Sequence, residues 1–414
     1  MKKILIILDG AADLPLAVFN GRTPLEIAKK PILDFFAFKG KLGYMFPIDE
    51  TTVPGSDISL ITLFGNDYRE CKRGIFEAIG AGIKLNKGDV AFRTNFVTID
   101  NLKNKKVIDR RAGRNITTKE SNELTAIINK KIKLNCEYIF KNTVQHRGVF
   151  VLRNNKLSSN ITNVDNEWLK PGEKYENFSL SYPLDKSEEA LTTSSIINDF
   201  VNKVYYLLNN HPINKERIKK GFFPANMIFL RGAGDKIPKL KKYNSWMSIN
   251  AMPLEVGIAT LSGMKNFSYD IPEMKTIDVY KHLYQILENE IHYAIKIIKK
   301  YHKQFSGCYI HIKETDDPGH DNKPLEKKKM IEIIDKKFFR FLKEFSDRYP
   351  LKIVVTCDHS TPCKIKGHSS NPVPVLIYGD GEDDTIAFSE NEAKFGSLGK
   401  FYGKDFMRVT GLRK

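Results

Sequence analysis

The chain opens MKKILIILDG, residues 1–10, and the apolar run Ile4, Leu5, Ile6, Ile7, Leu8 at its centre decides the fold class. A short run that is apolar without alternation is what a parallel strand buried on both faces requires. It is shorter than the ~7–15-residue core of a signal peptide, and no small-residue cleavage site follows it. The run stops at Asp9-Gly10. Beyond it, Thr23-Pro24-Leu25-Glu26 has the form of a helix N-cap followed by proline at the first helical position.

The C-terminal third repeats this grammar. Residues 277–303 and 327–348 have helical periodicity, the latter through Met330, Ile334, Phe338, Phe341 and Phe345. Residues 308–312, 352–356 and 374–378 read as strands. Alternating strands and helices predict an α/β core, a parallel-type sheet sandwiched by helices. The middle differs. Residues 90–99 and 148–153 alternate in polarity between polar, Asn-rich loops, which predicts a smaller α+β domain. The expected organisation is a discontinuous core of residues 1–68 and 241–414, with residues 69–240 inserted into it.

The composition narrows the functional classes. The 414 residues are 41% hydrophobic and 28% charged, enough for two folded domains. No apolar run approaches the ~18–20 residues of a membrane span, so no membrane partner is expected. The five cysteines are odd in number and scattered, which predicts free thiols in a reducing cytoplasm. The net charge of +17 fits lysine-rich helix faces or a small anionic substrate. Nucleic acid is not expected, because no zinc-finger, RNP or helix-turn-helix pattern accompanies the charge.

Ligands of open α/β sheets bind beyond the carboxyl ends of the strands. Asp9 follows the first strand, Asp316 and His320 follow 308–312, and Asp358-His359 follow 352–356. His368 and Ser56 lie in loops that reach the same edge. Any one of these is more often a cap or turn residue, but the conjunction is not: of nine histidines, three fall in DDPGH, CDHS and KGHSS. Carboxylate with neutral imidazole suits zinc or manganese better than calcium. Six such side chains exceed one tetrahedral ion and match two ions a few Å apart, the arrangement that clamps both oxygens of a phosphoryl transfer. Ser56, in VPGSDIS, reads either as the N-cap of a helix or as a nucleophile at its N-terminus.

These motifs resemble the archaeal-type, 2,3-bisphosphoglycerate-independent phosphoglycerate mutases of the alkaline phosphatase superfamily. The likeness runs nearly end to end, through GRTPLEIAKKP, PGSD, FEAIGAGIKLNKGDVAFRTNF, DRRAGR, HRGVFVLR, NMIFLRGAG, HIKETDDPGHD, CDHSTPC and GHSSNPVPV. The resemblance implies an alkaline-phosphatase-like core and a lid formed by the insertion. It implies two divalent cations, manganese before zinc or magnesium. Asp9, Ser56, Asp358 and His359 would hold one of them, and Asp316, His320 and His368 the other. Asp316, four residues before His320, takes the ligand role, and Asp317 is expected to bond the loop backbone. Ser56 would be the nucleophile that carries the phosphoryl group between the two hydroxyls of glycerate. Such a phosphorylated carboxylate calls for arginine forks, and Arg110, Arg111 and Arg231 are the first choices, with Arg73, Arg114 and His146 beside them. Asn163 to Glu167, Val256 and the run SYDIPEMKT at 268–276 depart from the family pattern. The alternatives are another metal-dependent phosphotransferase or phosphatase of the superfamily, akin to the proposed homoserine kinases, and a degenerate binding protein. Hydrolysis without isomerisation, or absence of bound metal, would distinguish them.

Overall fold

The computed structural model describes residues 1–166, 176–273 and 278–413. Glu167, Met274, Lys275, Thr276 and Ile277, to which expectations attach, lie outside these. Thirteen strands are described: β1 Lys3–Leu8, β2 Gly40–Phe46, β3 Asp89–Ile99, β4 Val107–Asp109, β5 Glu137–Asn142, β6 Arg147–Arg153, β7 Met227–Gly234, β8 Trp246–Ile249, β9 Lys265–Phe267, β10 Gly307–Ile312, β11 Lys352–Thr356, β12 Val373–Tyr378 and β13 Gly399–Tyr402.

The larger sheet has the order β13-β2-β12-β11-β1-β10-β8-β9. β1 lies between β10 and β11 and is parallel to both, with Ile4 opposite Cys308 on one side and Ile353 on the other. Ile4 to Leu8 are wholly buried, which is why the run needs no polar alternation. The parallel expectation needs one correction: β12 is antiparallel to both β11 and β2. The sheet is therefore mixed. A parallel return needs a crossover, usually helical. The segment 357–372 contains no helix and instead turns back at the strand ends, where it carries Asp358, His359 and His368.

Thr23 caps Pro24–Ile27 in a full capping box with Glu26. The long helix expected at 327–348 begins earlier, at Pro324–Ile334, and passes through a π-type turn, Asp335–Phe339, into Arg340–Ser346. The wider turn brings Asp335, Phe338 and Phe339 all inward. The Asp335 carboxylate there accepts the Leu33 N–H at 2.7 Å.

The second sheet contains β3 to β7, with β3 antiparallel to β6 on one side and β7 on the other. It has its own apolar core, in which Phe150 and Phe200 have ring centroids 4.3 Å apart. The helix Arg73–Gly80 joins the two bodies. Its Phe76 packs into the main core, while Ile75 and Ala78 pack against Ala91, Val149 and Val151 of the second sheet. A Cβ on Gly80 would meet the Pro253 carbonyl oxygen at 1.8 Å, and one on Gly257 would meet that of Phe76 at 2.0 Å. Glycine on this helix and on the helix Pro253–Leu261 sets their crossing. No helix among the described residues is long and apolar enough to cross a membrane.

Candidate active site

Each parallel strand of the sheet centre ends in a turn that presents a side chain to one edge. Asp9 ends β1, Asp316 and the short helix Asp317–His320 follow β10, and Asp358-His359 follow β11. Gly10 has φ +56, and a Cβ there would lie 2.4 Å from Thr361 Oγ1 and 2.5 Å from Asp316 Oδ1. The residue after Asp9 must be glycine for these turns to converge.

Two clusters result, one of Asp9, Asp358 and His359 and the other of Asp316, His320 and His368. Within each, the carboxylate oxygens and imidazole nitrogens all lie within 4.8 Å of one another. His359 Nε2 is 3.2 Å from Asp9 Oδ1 and 3.3 Å from Asp358 Oδ2. His320 Nε2 is 3.3 Å from Asp316 Oδ2 and 3.2 Å from His368 Nε2. The clusters adjoin: the rings of His359 and His368 stack with centroids 3.7 Å apart.

Ser56 is the first residue of the helix Ser56–Leu63, and Gly55 is its N-cap. Its hydroxyl is thus not engaged in capping. It sits in the first turn, where the dipole favours an anion, with Oγ 3.2 Å from His359 Nε2.

The far nitrogens of the imidazoles are held from behind. His368 Nδ1 faces the Pro54 carbonyl at 2.7 Å, His320 Nδ1 that of Lys366 at 3.3 Å, and His359 Nδ1 the Thr361 hydroxyl at 3.1 Å. Each ring therefore presents Nε2 to the centre, as metal-bound histidines do. Asp9 Oδ1 and Asp358 Oδ2 are buried with no well-formed hydrogen bond, and both crowd the single Nε2 of His359. Such atoms are costly unless a cation meets them. The residues present fit two divalent cations.

Electrostatics agree with a crowded acidic centre. Burial, then the neighbouring Asp9, pushes the Asp358 carboxyl up to about 7. Burial pulls the His320 imidazole down, but Asp316 outweighs it and pushes it up to about 9. His359 is likewise pushed up to about 9 by Asp358 and Asp9 against its burial. Burial, then the charge of His359, lowers His368 to about 3. A cation at Nε2 would replace the protons that His320 and His359 otherwise keep.

Several contributors escaped the sequence reading. Lys313, directly after β10, pairs with Asp9 and, at 3.0 Å, with Glu255. His311 Nε2 lies 3.6 Å from both Asp9 Oδ2 and Asp358 Oδ2. Lys327, wholly buried, binds Asp13 at 2.9 Å and the carbonyls of Ala12 and Thr361, tying together the turns after β1 and β11. Lys313, His311 and Thr361 stand inside HIKETDD and CDHSTPC, so their motifs were visible. Nothing local marks Glu255 or Lys327.

The second sheet brings basic groups over this edge. Arg110 and Arg231 lie 3.3 and 3.4 Å from the buried carboxylate of Asp165. Burial, then the charges of Arg147, Arg114, Arg93 and Arg231, keep His146 neutral. Arg73 pairs with Glu77 at 2.9 Å. Arg111 and Arg114 make their ion pairs elsewhere, with the core at Asp317 and Asp321. Asp317 thus pairs with arginines, where a bond to its own loop backbone was expected.

A mixed sheet with an acid–imidazole–serine cluster at one edge and a basic second body beside it has the arrangement of a metal-assisted phosphoryl-transfer site. Residues 37–214 match the profile of the family described as 2,3-bisphosphoglycerate-independent phosphoglycerate mutase. A protein of that name from Pyrococcus horikoshii is 37% identical over 99% of this chain and 96% of its own. Among solved structures, the PH0037 protein of P. horikoshii matches with a TM-score of 0.73 at 29% identity, covering 100% of this chain and 98% of that one. The cofactor-independent phosphoglycerate mutase of Thermoplasma acidophilum matches with 0.58 at 28%, covering 100% and 99%. The chain belongs to the 2,3-bisphosphoglycerate-independent phosphoglycerate mutase family, a family of isomerases.

Proposed function

We propose that this chain interconverts 3-phosphoglycerate and 2-phosphoglycerate through phosphorylated Ser56. The observation that carries the reading is the position of Ser56 Oγ, 3.2 Å from His359 Nε2, where the two ligand clusters meet. In the forward step the serine oxygen forms a bond to phosphorus as the bond to the 3-oxygen of the substrate breaks. The serine proton goes to the oxygen released. Glycerate then turns, its 2-oxygen takes the phosphoryl group, and the serine hydroxyl is restored.

Asp9, Asp358 and His359 with Ser56 would hold one divalent cation, and Asp316, His320 and His368 the other. When bound, these ions supply positive charge to the attacking and leaving oxygens and lower the pKa of the serine hydroxyl. Manganese suits the mixed oxygen and nitrogen donors, with zinc or magnesium as substitutes. Arg110, Arg231, Arg73 and neutral His146 face the phosphate and carboxylate of the substrate, and Asp165 holds the first two together, one on each carboxylate oxygen. Arg111 and Arg114 close over the same space. The body of residues 69–240 acts as a lid that keeps water from the phosphoserine. Five free cysteines support a reducing, cytoplasmic setting.

The test is a coupled assay with 3-phosphoglycerate. Chelation is expected to abolish isomerisation and manganese to restore it. Chelator-resistant activity, or phosphate release with no isomer formed, would overturn the reading.

A further inference from the structure

One helical turn, Asp317–His320, carries two functions on two sides. Asp316 and His320 are four residues apart and belong to a ligand cluster. Asp317 and Asp321, each one position further on, point to the second body. Asp317 Oδ1 lies 3.3 Å from Arg111 Nη1 and 3.3 Å from Arg114 Nη2, and Asp321 Oδ2 lies 2.6 Å from Arg114 Nη1. The Tyr280 hydroxyl donates to Asp321 Oδ2 at 2.8 Å and holds that carboxylate in place. All four charged side chains are 19–31% exposed, so these pairs are shielded more than surface ones.

The arginines come from a loop built to hold one shape. Ala112, Gly113 and Arg114 have φ of 46, 74 and 58. Two non-glycine residues there persist only if neighbours enforce the conformation. Asp109 Oδ1 accepts the N–H groups of Arg111 at 2.7 Å and Gly113 at 2.8 Å. From behind, wholly buried Arg217 donates to the Ala112 carbonyl at 3.1 Å and to Asn115 Oδ1 at 2.6 Å. A preformed fork therefore meets a pair of carboxylates fixed on the metal-binding turn.

We propose that Asp317 and Asp321 are positioning residues that latch the lid, through Arg111 and Arg114, onto the turn that holds the second ligand cluster. The proposal rests on the phosphoserine reading for its consequence. With the latch intact, glycerate is retained and the phosphoryl group returns to it. With the latch loosened, water enters: its oxygen bonds to phosphorus, the serine–phosphorus bond breaks, and inorganic phosphate and the serine hydroxyl remain. Asp317 and Asp321 thus set the balance between isomerisation and hydrolysis without touching the substrate.

The experiment compares the wild type with Asp317→Asn/Asp321→Asn and with the charge-keeping Asp317→Glu/Asp321→Glu, all loaded with manganese. Two readouts are taken: the ratio of inorganic phosphate to 2-phosphoglycerate formed from 3-phosphoglycerate, and hydrogen exchange of the 109–115 segment. Three shielded pairs predict a rise of about tenfold in the ratio for the double Asn variant, with faster exchange of the segment. The Glu variant keeps both charges and is expected to stay closer to wild type than the Asn variant in both readouts. Unchanged ratio and exchange in the double Asn variant would overturn the latch, as would a Glu variant that behaves like the Asn one. If the wild type forms no isomer, the mutase reading fails instead, and the exchange data still decide the latch.

Discussion

The hydroxyl of Thr361 donates to Oδ1 of Asp316 at 2.6 Å. It also stands 3.1 Å from Nδ1 of His359. It accepts from that ring and so links a ligand of one cluster to a ligand of the other. Thr361→Val keeps the shape and removes the bridge. Partners of this kind are worth about 10–100-fold in metal affinity, and a loss in that range is expected by calorimetric titration with manganese. Wild-type affinity in the variant would remove Thr361 from the site.

The adjacent acids of HIKETDDPGHD separate by the side they face. Asp316→Asn is expected to lower the bound metal by one equivalent, because His320 and His368 then lack their carboxylate partner. Asp317→Asn is expected to keep the full complement, because its carboxylate faces Arg111 and Arg114. Elemental analysis after gel filtration reads both. The reverse outcome would exchange the two roles.

Glu390 lies behind the site, where its carboxylate accepts the Thr23 hydroxyl at 2.7 Å and the Asp13 N–H at 2.9 Å. Burial pushes this carboxyl up to about 7, against the bond from Thr23. The folded pKa thus exceeds the unfolded one. The contribution to stability is complete below the ordinary value of 4.5 and is lost as pH rises through about 7. The thermal midpoint of the wild type should fall from about pH 5 to about pH 8 more steeply than that of Glu390→Gln. Parallel curves for the two proteins would show that Glu390 does not titrate in this range.

The strands β1, β10 and β11 and the acids at their ends were legible because they depend on local pattern, whereas β2, β8, β9 and β13 of the same sheet were not read from the sequence. A five-residue apolar run followed by Asp-Gly at residues 9–10 leaves few alternatives once similar runs recur before Asp316 and Asp358. The reversal of β12 was not legible, because direction depends on how segment 357–372 packs and not on the composition of β12. The π-type turn at Asp335–Phe339 was hidden for a related reason: the partner of its inward carboxylate, the Leu33 N–H, is far away in sequence. The role of Asp317 could not be read locally either. It is set by Arg111 and Arg114, over 200 residues earlier. Buried Lys327 reads as one more solvated lysine of KKK at 327–329 until its three oxygen partners come into view.

The central claim is that Ser56 carries the phosphoryl group. The most direct measurement is mass spectrometry of the peptide containing residue 56, after rapid acid quench of the manganese-loaded enzyme turning over 3-phosphoglycerate, beside the activity of Ser56→Ala. The account predicts phosphate on Ser56 in the wild type and loss of isomerisation in the variant by a factor of at least about 10⁴, comparable to the loss of a covalent nucleophile elsewhere. A Ser56→Ala protein that still forms 2-phosphoglycerate at the wild-type rate would contradict it.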